Sequence, residues 1–208
     1  MKKIALIGGG CATGKTFIQE ALDREYIINA LIPNPFEFSL IHDSLNIIEG
    51  SSENYDKVKE LINQTDAVVL ISLEENLPLI NNMVISNLNK VLKDSHLARM
   101  VCVIPAAFIL EHDIPGTKDN FNTFWFKMFH KRAYEQINDT IPDIIDSTFD
   151  WTLIRSPRLT DGPLEKIYEI GEVGMDSSRY VSRKDLAYCI LKIIEEQKFI
   201  KRSIYISN

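Results

Sequence analysis

Short, continuous apolar runs alternate along this chain with longer segments in which apolar residues recur every three or four positions. A continuous apolar run is typical of a strand that is buried on both faces of a parallel sheet. Apolar residues at the longer spacing form one face of a helix instead. Strands are predicted at the continuous apolar runs 4–7 and 100–104 and at the mainly apolar segments 27–32, 45–48, 67–73, 151–155 and 203–206.

The segments between these runs predict helices, at 17–22, 58–62, 84–92, 119–138 and from 182 onward. Ser52 is the expected N-cap of the second of them. Ser182 and Asp185 have the spacing of a capping box at the start of the last. Regular alternation of strands and helices predicts an α/β fold with a doubly wound parallel sheet, right-handed crossovers and helices on both faces. No internal repeat or linker interrupts the 208 residues, so one domain is expected over 1–208.

The composition narrows the classes of partner. The chain has 23 Lys and Arg against 29 Asp and Glu, a net charge of −6, and no cluster of five or more basic residues. Nucleic acid and anionic membrane surfaces require clustered cations, so neither is expected as a partner. With 45% hydrophobic residues, the core should need neither a metal nor a disulfide.

Cysteine usage and apolar run length bear on location. The three cysteines are widely spaced and form no CxxC pair, and Cys102 and Cys189 lie in apolar stretches that predict buried thiols. The apolar run near the start has only four residues, too short for a signal sequence. No run approaches the roughly 20 residues of a membrane span. A cytoplasmic protein is expected.

Three consecutive glycines follow the first predicted strand, in the segment GGGCATGKT at 8–16. Glycines between a strand and a helix allow a tight turn, and they let backbone N–H groups approach a phosphate at the helix N-terminus. Residues 9–16 match the nucleoside triphosphate pattern GxxxxGK[ST] at every required position. Gly8, Cys11 and Gly14 instead occupy the three glycine positions of a GxxGxxG dinucleotide loop, with the middle glycine replaced.

The sequence outside the loop weakens the interpretation as a nucleoside triphosphate site but does not exclude it. Such a site needs an acidic residue after a neighbouring strand to hold Mg²⁺. Glu74 and Glu75 follow the fourth predicted strand, but no Asp ends an apolar run. The arginines are scattered and do not form a recognisable lid.

Four segments, in order and spanning almost the whole chain, carry a family resemblance: KIALIGGGCATGKT at the start, TDAVVLISL at 65–73, DWTLIRSPRLTDGP at 150–163 and YVSRKDLAYCIL at 180–191. The chain resembles an atypical short-chain dehydrogenase/reductase of the NmrA-like branch, which includes NAD(P)H-dependent flavin and biliverdin reductases. The resemblance implies a Rossmann-like fold that binds NAD(P)H, with a small C-terminal substrate-side cap within about residues 108–182. Relatives usually carry GATGxTG in the loop, so Cys11 stands where a glycine is usual.

The resemblance also implies where the dinucleotide would lie. The pyrophosphate is expected over the glycine loop, on residues Gly8, Gly10, Cys11, Ala12, Thr13 and Gly14. Cys11 then needs a backbone conformation that a Cβ tolerates. Asn34, after the second strand, is expected near the adenosine ribose, and Gly50 and Ser51 near the adenine. No cation occurs at 33–36 to hold a 2′-phosphate, so the choice between NADH and NADPH stays open.

At the other end of the cofactor, the resemblance implies contacts from Leu73, Glu74 and Ala106. Many relatives have a serine or threonine around Ala106, and here no hydroxyl is expected there. The wider superfamily protonates its substrate with a Ser and a Tyr-xxx-Lys pair. Here the residue four positions after Tyr134 is Asn138 instead of lysine.

The catalytic and substrate residues are therefore predicted only in outline. His130 falls where several flavin-reducing relatives have a His-Lys step, and it is either a general acid or part of a solvated helix face. Phe108 and Arg158 are expected on the substrate side. Arg155 either meets an anionic substrate group or pairs with a carboxylate.

An aromatic cluster occupies the segment 121–129, with Trp125 at its centre. Its helical spacing is typical of burial against a sheet. The alternatives are an apolar shelf for a planar acceptor and a helical dimer surface. The resemblance implies an NAD(P)H-dependent reductase of a flavin- or quinone-like acceptor, which we expect to be monomeric or homodimeric. A dinucleotide sensor without turnover and, less favoured, a P-loop kinase or ATPase are the alternatives.

Overall fold

A computed structural model describes residues 2–73, 80–92, 97–111, 113–171 and 180–208 of the chain. The strands are β1 (Lys3–Ile7), β2 (Ile27–Ile32), β3 (Leu45–Glu49), β4 (Ala67–Ile71), β5 (Arg99–Pro105), β6 (Asp150–Ser156), β7 (Arg158–Thr160), β8 (Glu169–Gly171), β9 (Tyr180–Ser182) and β10 (Arg202–Ser207). The helices are α1 (Ala12–Leu22), α2 (Tyr55–Leu61), α3 (Asn82–Leu92), α4 (Thr117–Phe129), α5 (Lys131–Ile145) and α6 (Arg183–Glu195), with a short 3-10 turn at Pro35–Glu37.

Eight strands form one sheet in the order β3-β2-β1-β4-β5-β6-β10-β8. The first seven in that order are parallel, and β8 pairs antiparallel with β10 at the edge. The order of the chain reverses between β1 and β4, and ligands of open α/β sheets bind in the crevice at such a reversal. The strands β7 and β9 pair with each other in a separate two-stranded sheet.

Two apolar cores lie on the two faces of the sheet. One core lies between one face of the sheet and helices α1 and α6. The other lies between the opposite face and helices α2, α3 and α5. Every residue of β4 is buried, as a strand covered on both faces requires. The prediction of a Rossmann-like, doubly wound parallel sheet with helices on both faces is confirmed.

Several boundaries differ from the expected ones. The predicted helix over 119–138 is two helices, because His130 adopts the non-helical angles φ −127° and ψ 42°. Neither glycine nor proline stands at this break to signal it in the sequence. Helix α2 is capped by Asn54, whose side chain accepts from the amides of Asp56 and Lys57, so the assignment of Ser52 as its cap was wrong. The fourth strand ends at Ile71 instead of residue 73.

The cap of the last helix follows the prediction. Ser182 Oγ accepts from the Asp185 amide at 2.9 Å and donates to the Asp185 carboxylate at 2.6 Å. The same carboxylate accepts from the amides of Glu165 and Lys166. Asp185 thereby ties the segment after β7 to the start of α6, at the edge of the sheet where the cavities described below lie.

Candidate functional site

The glycine loop joins the end of β1 to the start of α1. Cys11 is the N-cap of α1, with φ −80° and ψ 165°, an extended conformation open to any residue. Its Sγ accepts a hydrogen bond from the Gly14 amide at 3.2 Å and donates one to the Gly8 carbonyl at 3.1 Å. A cysteine at the position usual for glycine therefore adds no backbone strain, and its side chain closes the first turn of the helix.

The loop packs tightly between β1 and α1 and leaves a buried hydroxyl unsatisfied by the described residues. A Cβ on Gly14 would lie 2.0 Å from the Gly8 carbonyl oxygen, so α1 starts in direct contact with the end of β1. Gly8 has φ +100°, which favours glycine. The Thr13 hydroxyl is buried and has no hydrogen-bond partner among the described residues. An N-terminal helix turn with an unsatisfied hydroxyl beside it offers the donors that an anionic group requires.

A small cavity of about 50 Å³ lies beside the loop. Its walls are Ile7, Gly8, Gly10, Cys11, Leu31, Pro33, Gly50 and Ser52. These residues follow β1, β2 and β3 or end those strands, so the cavity lies where the resemblance puts the adenosine. Gly50 has φ +153°, and a Cβ there would come within 2.7 Å of Lys57 Cγ.

Four of the predicted cofactor residues, Gly8, Gly10, Cys11 and Gly50, meet in this cavity. Ser51 does not line it; its hydroxyl accepts from the Glu53 amide, and Ser52 lines the cavity instead. Asn34 is exposed at the start of the 3-10 turn, next to Pro33 of the cavity wall. Ala12 is exposed at the start of α1.

A second, larger cavity of about 910 Å³ opens at the carboxyl ends of β4, β5 and β6. Among the predicted residues, it is lined by Thr13, Leu73, Ala106, Trp125, His130 and Arg158. Thr13 belongs to the glycine loop, so the loop borders both cavities. Glu74 and Glu75 lie outside the described residues.

Phe108, predicted on the substrate side, does not line the cavity. It is buried in the core, where its ring stacks on Tyr134 with centroids 5.0 Å apart and planes at 9°. The residues around the end of β5 are apolar and aromatic, so the sequence does not show which of them line a cavity and which are buried in the core. The Tyr134 side chain, held in this stack, does not line the cavity either.

Helix α4 forms an aromatic wall of the cavity, consisting of Phe121, Trp125, Phe126 and Phe129. The rings of Trp125 and Phe129 stack at 5.1 Å with planes at 5°. No described residue of α4 is buried, and Phe129 is 65% exposed. The expectation that this cluster packs against the sheet was therefore wrong except at Phe126, which contacts Phe108 edge to face.

Hydroxyl groups also line this cavity, which the sequence did not suggest. The Ala106 amide donates to the Ser156 carbonyl at 2.8 Å, and Ser156 faces the same cavity from β6. Tyr180 and Tyr205 line it as well. The Ser156 hydroxyl itself donates to the Pro157 carbonyl at 3.3 Å. In a parallel sheet, β6 brings Ser156 beside Pro105 from about fifty residues along the chain.

Two arginines of this region have different surroundings. Arg155 is buried and forms an ion pair with Asp113, and its guanidinium also donates to the Phe108 carbonyl at 3.4 Å. Arg158 is exposed on β7 and lines the cavity. The carboxylate-pairing alternative for Arg155 is therefore the one that the structure supports.

Comparison with known proteins identifies the family. The model of a family described as NAD(P)H-binding matches residues 8–197. The chain belongs to this NAD(P)H-binding family. No curated protein matches the chain in sequence.

Solved structures of several other proteins share the fold. A short-chain dehydrogenase/reductase of Veillonella parvula, in complex with NADP, has a TM-score of 0.80 at 18% identity, covering 100% of this chain and 94% of that one. A Rossmann-fold NAD(P)-binding family protein of Shigella flexneri has a TM-score of 0.74 at 19% identity, covering 100% and 94%. The oxidoreductase YlbE of Lactococcus lactis has a TM-score of 0.78 at 14% identity, covering 99% and 90%.

The lysine and threonine of the GxxxxGK[ST] match have other roles in this NAD(P)H-binding chain. The Thr16 hydroxyl donates to the Ala12 carbonyl at 3.0 Å, and the Lys15 ammonium lies 5.8 Å from the centroid of the Phe38 ring. Neither contact resembles the phosphate and Mg²⁺ contacts of a triphosphate loop. Lys15 also brings a cation to the segment between β2 and β3, where the local sequence at 33–36 has none.

The described residues contain no helix long and apolar enough to cross a membrane. Within the same residues, no group of three or more His, Cys, Asp or Glu side chains is arranged to hold a metal ion.

Proposed function

We propose that this protein is an NAD(P)H-dependent reductase of a planar, flavin- or quinone-like acceptor. The observation that carries the proposal is the aromatic wall of α4, whose stacked Trp125 and Phe129 rings face the large cavity. Exposed aromatic side chains cost hydration free energy unless a partner covers them. A flat conjugated ring is a suitable partner, because aromatic rings stack on it with offset or edge contacts.

Bound NAD(P)H supplies a hydride, which together with one proton from solvent reduces the acceptor by two electrons. The glycine loop has the N–H donors that suit a diphosphate. The small cavity beside it is suited to the adenosine. Leu73 and Ala106, at the ends of β4 and β5, line the large cavity next to Thr13 of that loop. A dinucleotide extending from the loop into the large cavity would therefore meet an acceptor held on α4.

This chemistry needs positioning more than a dedicated acid. Hydride transfer to a stacked ring is accelerated when both groups are held in contact and water is excluded. Tyr134 is stacked on Phe108 in the core, and no Tyr-xxx-Lys pair among the described residues has both of its members on the wall of the large cavity. His130, whose ring lies 5.1 Å from that of Phe126, is the candidate proton donor for acceptors that require one.

The proposal is tested by NADH and NADPH oxidation with FMN, riboflavin and menadione as acceptors. Removing the ring in Trp125→Ala should raise the acceptor KM about two- to tenfold, since such aromatic contacts contribute about 0.5–1.5 kcal/mol. Met128→Ala is the control, because Met128 is exposed on the same helix but does not line the cavity. Its KM should match that of the wild type.

The alternative, a dinucleotide sensor without turnover, predicts a different result. Cofactor binding, measured by a thermal-shift series with NADH and NADPH, would then occur without oxidation by any acceptor. That outcome would reject the reductase. A His130→Gln variant with unchanged kcat across pH 5–8 would remove His130 from the mechanism while leaving the reductase in place.

Location and assembly are part of the proposal. All three cysteines are free and buried, which supports a reducing compartment such as the cytoplasm. We further propose that 1–208 acts as one domain, as a monomer or homodimer, with a small-molecule acceptor as its partner and without nucleic acid. Sedimentation measurements with and without NADPH test the oligomeric state.

A further inference from the structure

The charge of the large cavity differs in sign from that of the protein. The chain carries a net charge of −6. The described residues that line the cavity nevertheless include two arginines, Arg158 and Arg183, and no Asp or Glu. A cationic, partly apolar cavity concentrates anions, because unscreened charge at a low-dielectric wall acts over several ångströms.

Arg158 lies on a short strand at the wall of the large cavity. It lies on β7, where pairing with β9 sets it opposite Tyr180, another residue of the cavity wall. Pro157 precedes it and restricts the backbone there. Arg158 forms no ion pair with any described residue, so its guanidinium remains available to a ligand.

Arg183 reaches the cavity from a different element. It is the first residue of α6, and one guanidinium nitrogen pairs with Asp161 at 2.6 Å. The Asp161 side chain is 87% exposed and does not line the cavity. The Arg183 Nε is buried and has no hydrogen-bond partner among the described residues. Arg183 therefore retains donor capacity beyond its ion pair.

We infer that the acceptor is an anionic one, with a phosphate or carboxylate arm attached to its planar ring. This inference rests on the proposed reductase function and specifies its substrate class. The aromatic wall of α4 would hold the ring, while Arg158 and Arg183 hold the arm. Guanidinium groups suit such arms because they donate paired hydrogen bonds to phosphate and carboxylate oxygens.

FMN and riboflavin test the inference, because they share one ring system and only FMN carries a phosphate. We expect the KM for FMN to be about tenfold below that for riboflavin, with the ratio falling at higher ionic strength. Arg158→Gln and Arg183→Gln should each reduce the FMN preference, and the double variant should remove it. Arg132→Gln is the matched control, since Arg132 is exposed on α5 and does not line the cavity. It should keep the full preference.

Equal KM values for FMN and riboflavin in the wild type would overturn the inference and leave the reductase function standing. A second result would also overturn it: Arg158→Gln and Arg183→Gln bind NADPH more weakly than the wild type when no acceptor is present, but keep its preference for FMN. The arginines would then hold a phosphate of the cofactor.

A binding measurement separates this inference from the reductase proposal. Quenching of flavin fluorescence by the protein, saturated with NADP⁺, reports FMN and riboflavin affinity without turnover. Tighter binding of FMN that depends on Arg158 and Arg183 supports the anionic site even if no flavin is reduced. Equal binding of both flavins contradicts it even if both are reduced.

Discussion

The Cys11 thiol accepts a hydrogen bond from the Gly14 amide across 3.2 Å, and this contact caps the helix that begins at the glycine loop. The same thiol donates to the Gly8 carbonyl, so one side chain connects three loop residues. Cysteine is not among the favoured N-cap residues, which are Ser, Thr, Asp and Asn. The loop thus uses a thiol for a role that the usual glycine at this position leaves to the backbone.

We predict that Cys11→Ser keeps the cap, while Cys11→Ala removes it. Loss of a helix cap costs about 1 kcal/mol. For a chain of this length, that lowers Tm by about 2–4 °C. Thermal unfolding of the three proteins without cofactor measures the difference. An alanine variant as stable as the serine variant would show that the thiol contacts contribute nothing to the loop.

Gly14 tests the loop in a second way. From the sequence, the negative charge of Gly14→Asp is expected to weaken cofactor binding. The structure indicates that any side chain at this position would have a larger effect, on the stability of the fold. A Cβ 2.0 Å from the Gly8 carbonyl oxygen forces α1 and β1 apart. Gly14→Ala should therefore destabilise the fold by about 3 kcal/mol or more. Urea unfolding measures this cost.

Gly10→Ala is the matched control for that variant. Its Cβ would lie 3.9 Å from Ile32 Cγ2, an ordinary contact, and Gly10 is exposed on the wall of the small cavity. The fold should keep its stability within about 0.5 kcal/mol. The added methyl group would narrow the small cavity, so NADPH affinity should fall. Unchanged NADPH affinity would argue against adenosine binding there.

How far the sequence predicts this structure depends on the range of the interactions involved. Strand β2 was predicted to the residue, because a mainly apolar segment ended by Pro33 is a local signal. The Ser182 cap is local too, since its partner Asp185 lies three residues on. Strands β7 and β9 have three residues each and pair only with one another, so no periodicity indicates them.

The candidate residues of the loop have a local signal in the sequence, whereas the cavity residues brought together by the sheet have none. The glycine residues of the loop were located from their own spacing. Ser156 reaches Ala106 only because β5 and β6 are adjacent. The break at His130 turns α4 so that Trp125 faces the cavity, and nothing local in the sequence signals that break.

Glu195 gives the fold a predicted pH dependence. Its carboxylate accepts from Lys192 at 2.8 Å and from the Tyr26 hydroxyl at 2.7 Å. These hydrogen bonds, that of Lys192 first, hold the pKa of Glu195 below its usual range. Burial raises the pKa of Tyr26 well above its usual value, so the phenol stays a donor. The unfolded pKa is about 4.3. The stabilisation is therefore complete above that pH and is lost as pH falls through the lower, folded pKa.

Glu195→Gln should accordingly cost more stability at pH 7 than at pH 3. The difference should be no more than about 1 kcal/mol, since the carboxylate is partly exposed, at 32%, and therefore screened by solvent. Urea unfolding at both pH values measures it. Glu60→Gln, which removes the exposed ion pair with Lys57, serves as a control for the loss of one surface charge. An equal cost of Glu195→Gln at the two pH values would contradict the prediction.

The buried ion pair of Arg155 and Asp113 supports the wall of the large cavity from the protein interior. Asp113 also accepts from the Leu110 amide at 2.6 Å, so the pair attaches the segment after β5 to β6. Both side chains are almost completely buried, with 2% and 9% exposure. Removing one partner of such a pair leaves a buried charge uncompensated, at a cost of about 3–5 kcal/mol.

We therefore predict that Asp113→Asn destabilises the fold by that amount and raises the acceptor KM, because Ala106 and Ala107 of the cavity wall precede this segment. Replacing both partners with apolar residues, Asp113→Leu with Arg155→Met, should recover most of the stability, since no charge then stays buried. It should not restore the KM, because a leucine at position 113 cannot accept the hydrogen bond from the Leu110 amide. Urea unfolding and acceptor titration on the two variants separate these effects. Recovery of both quantities would mean that the pair contributes charge balance alone, without positioning the wall.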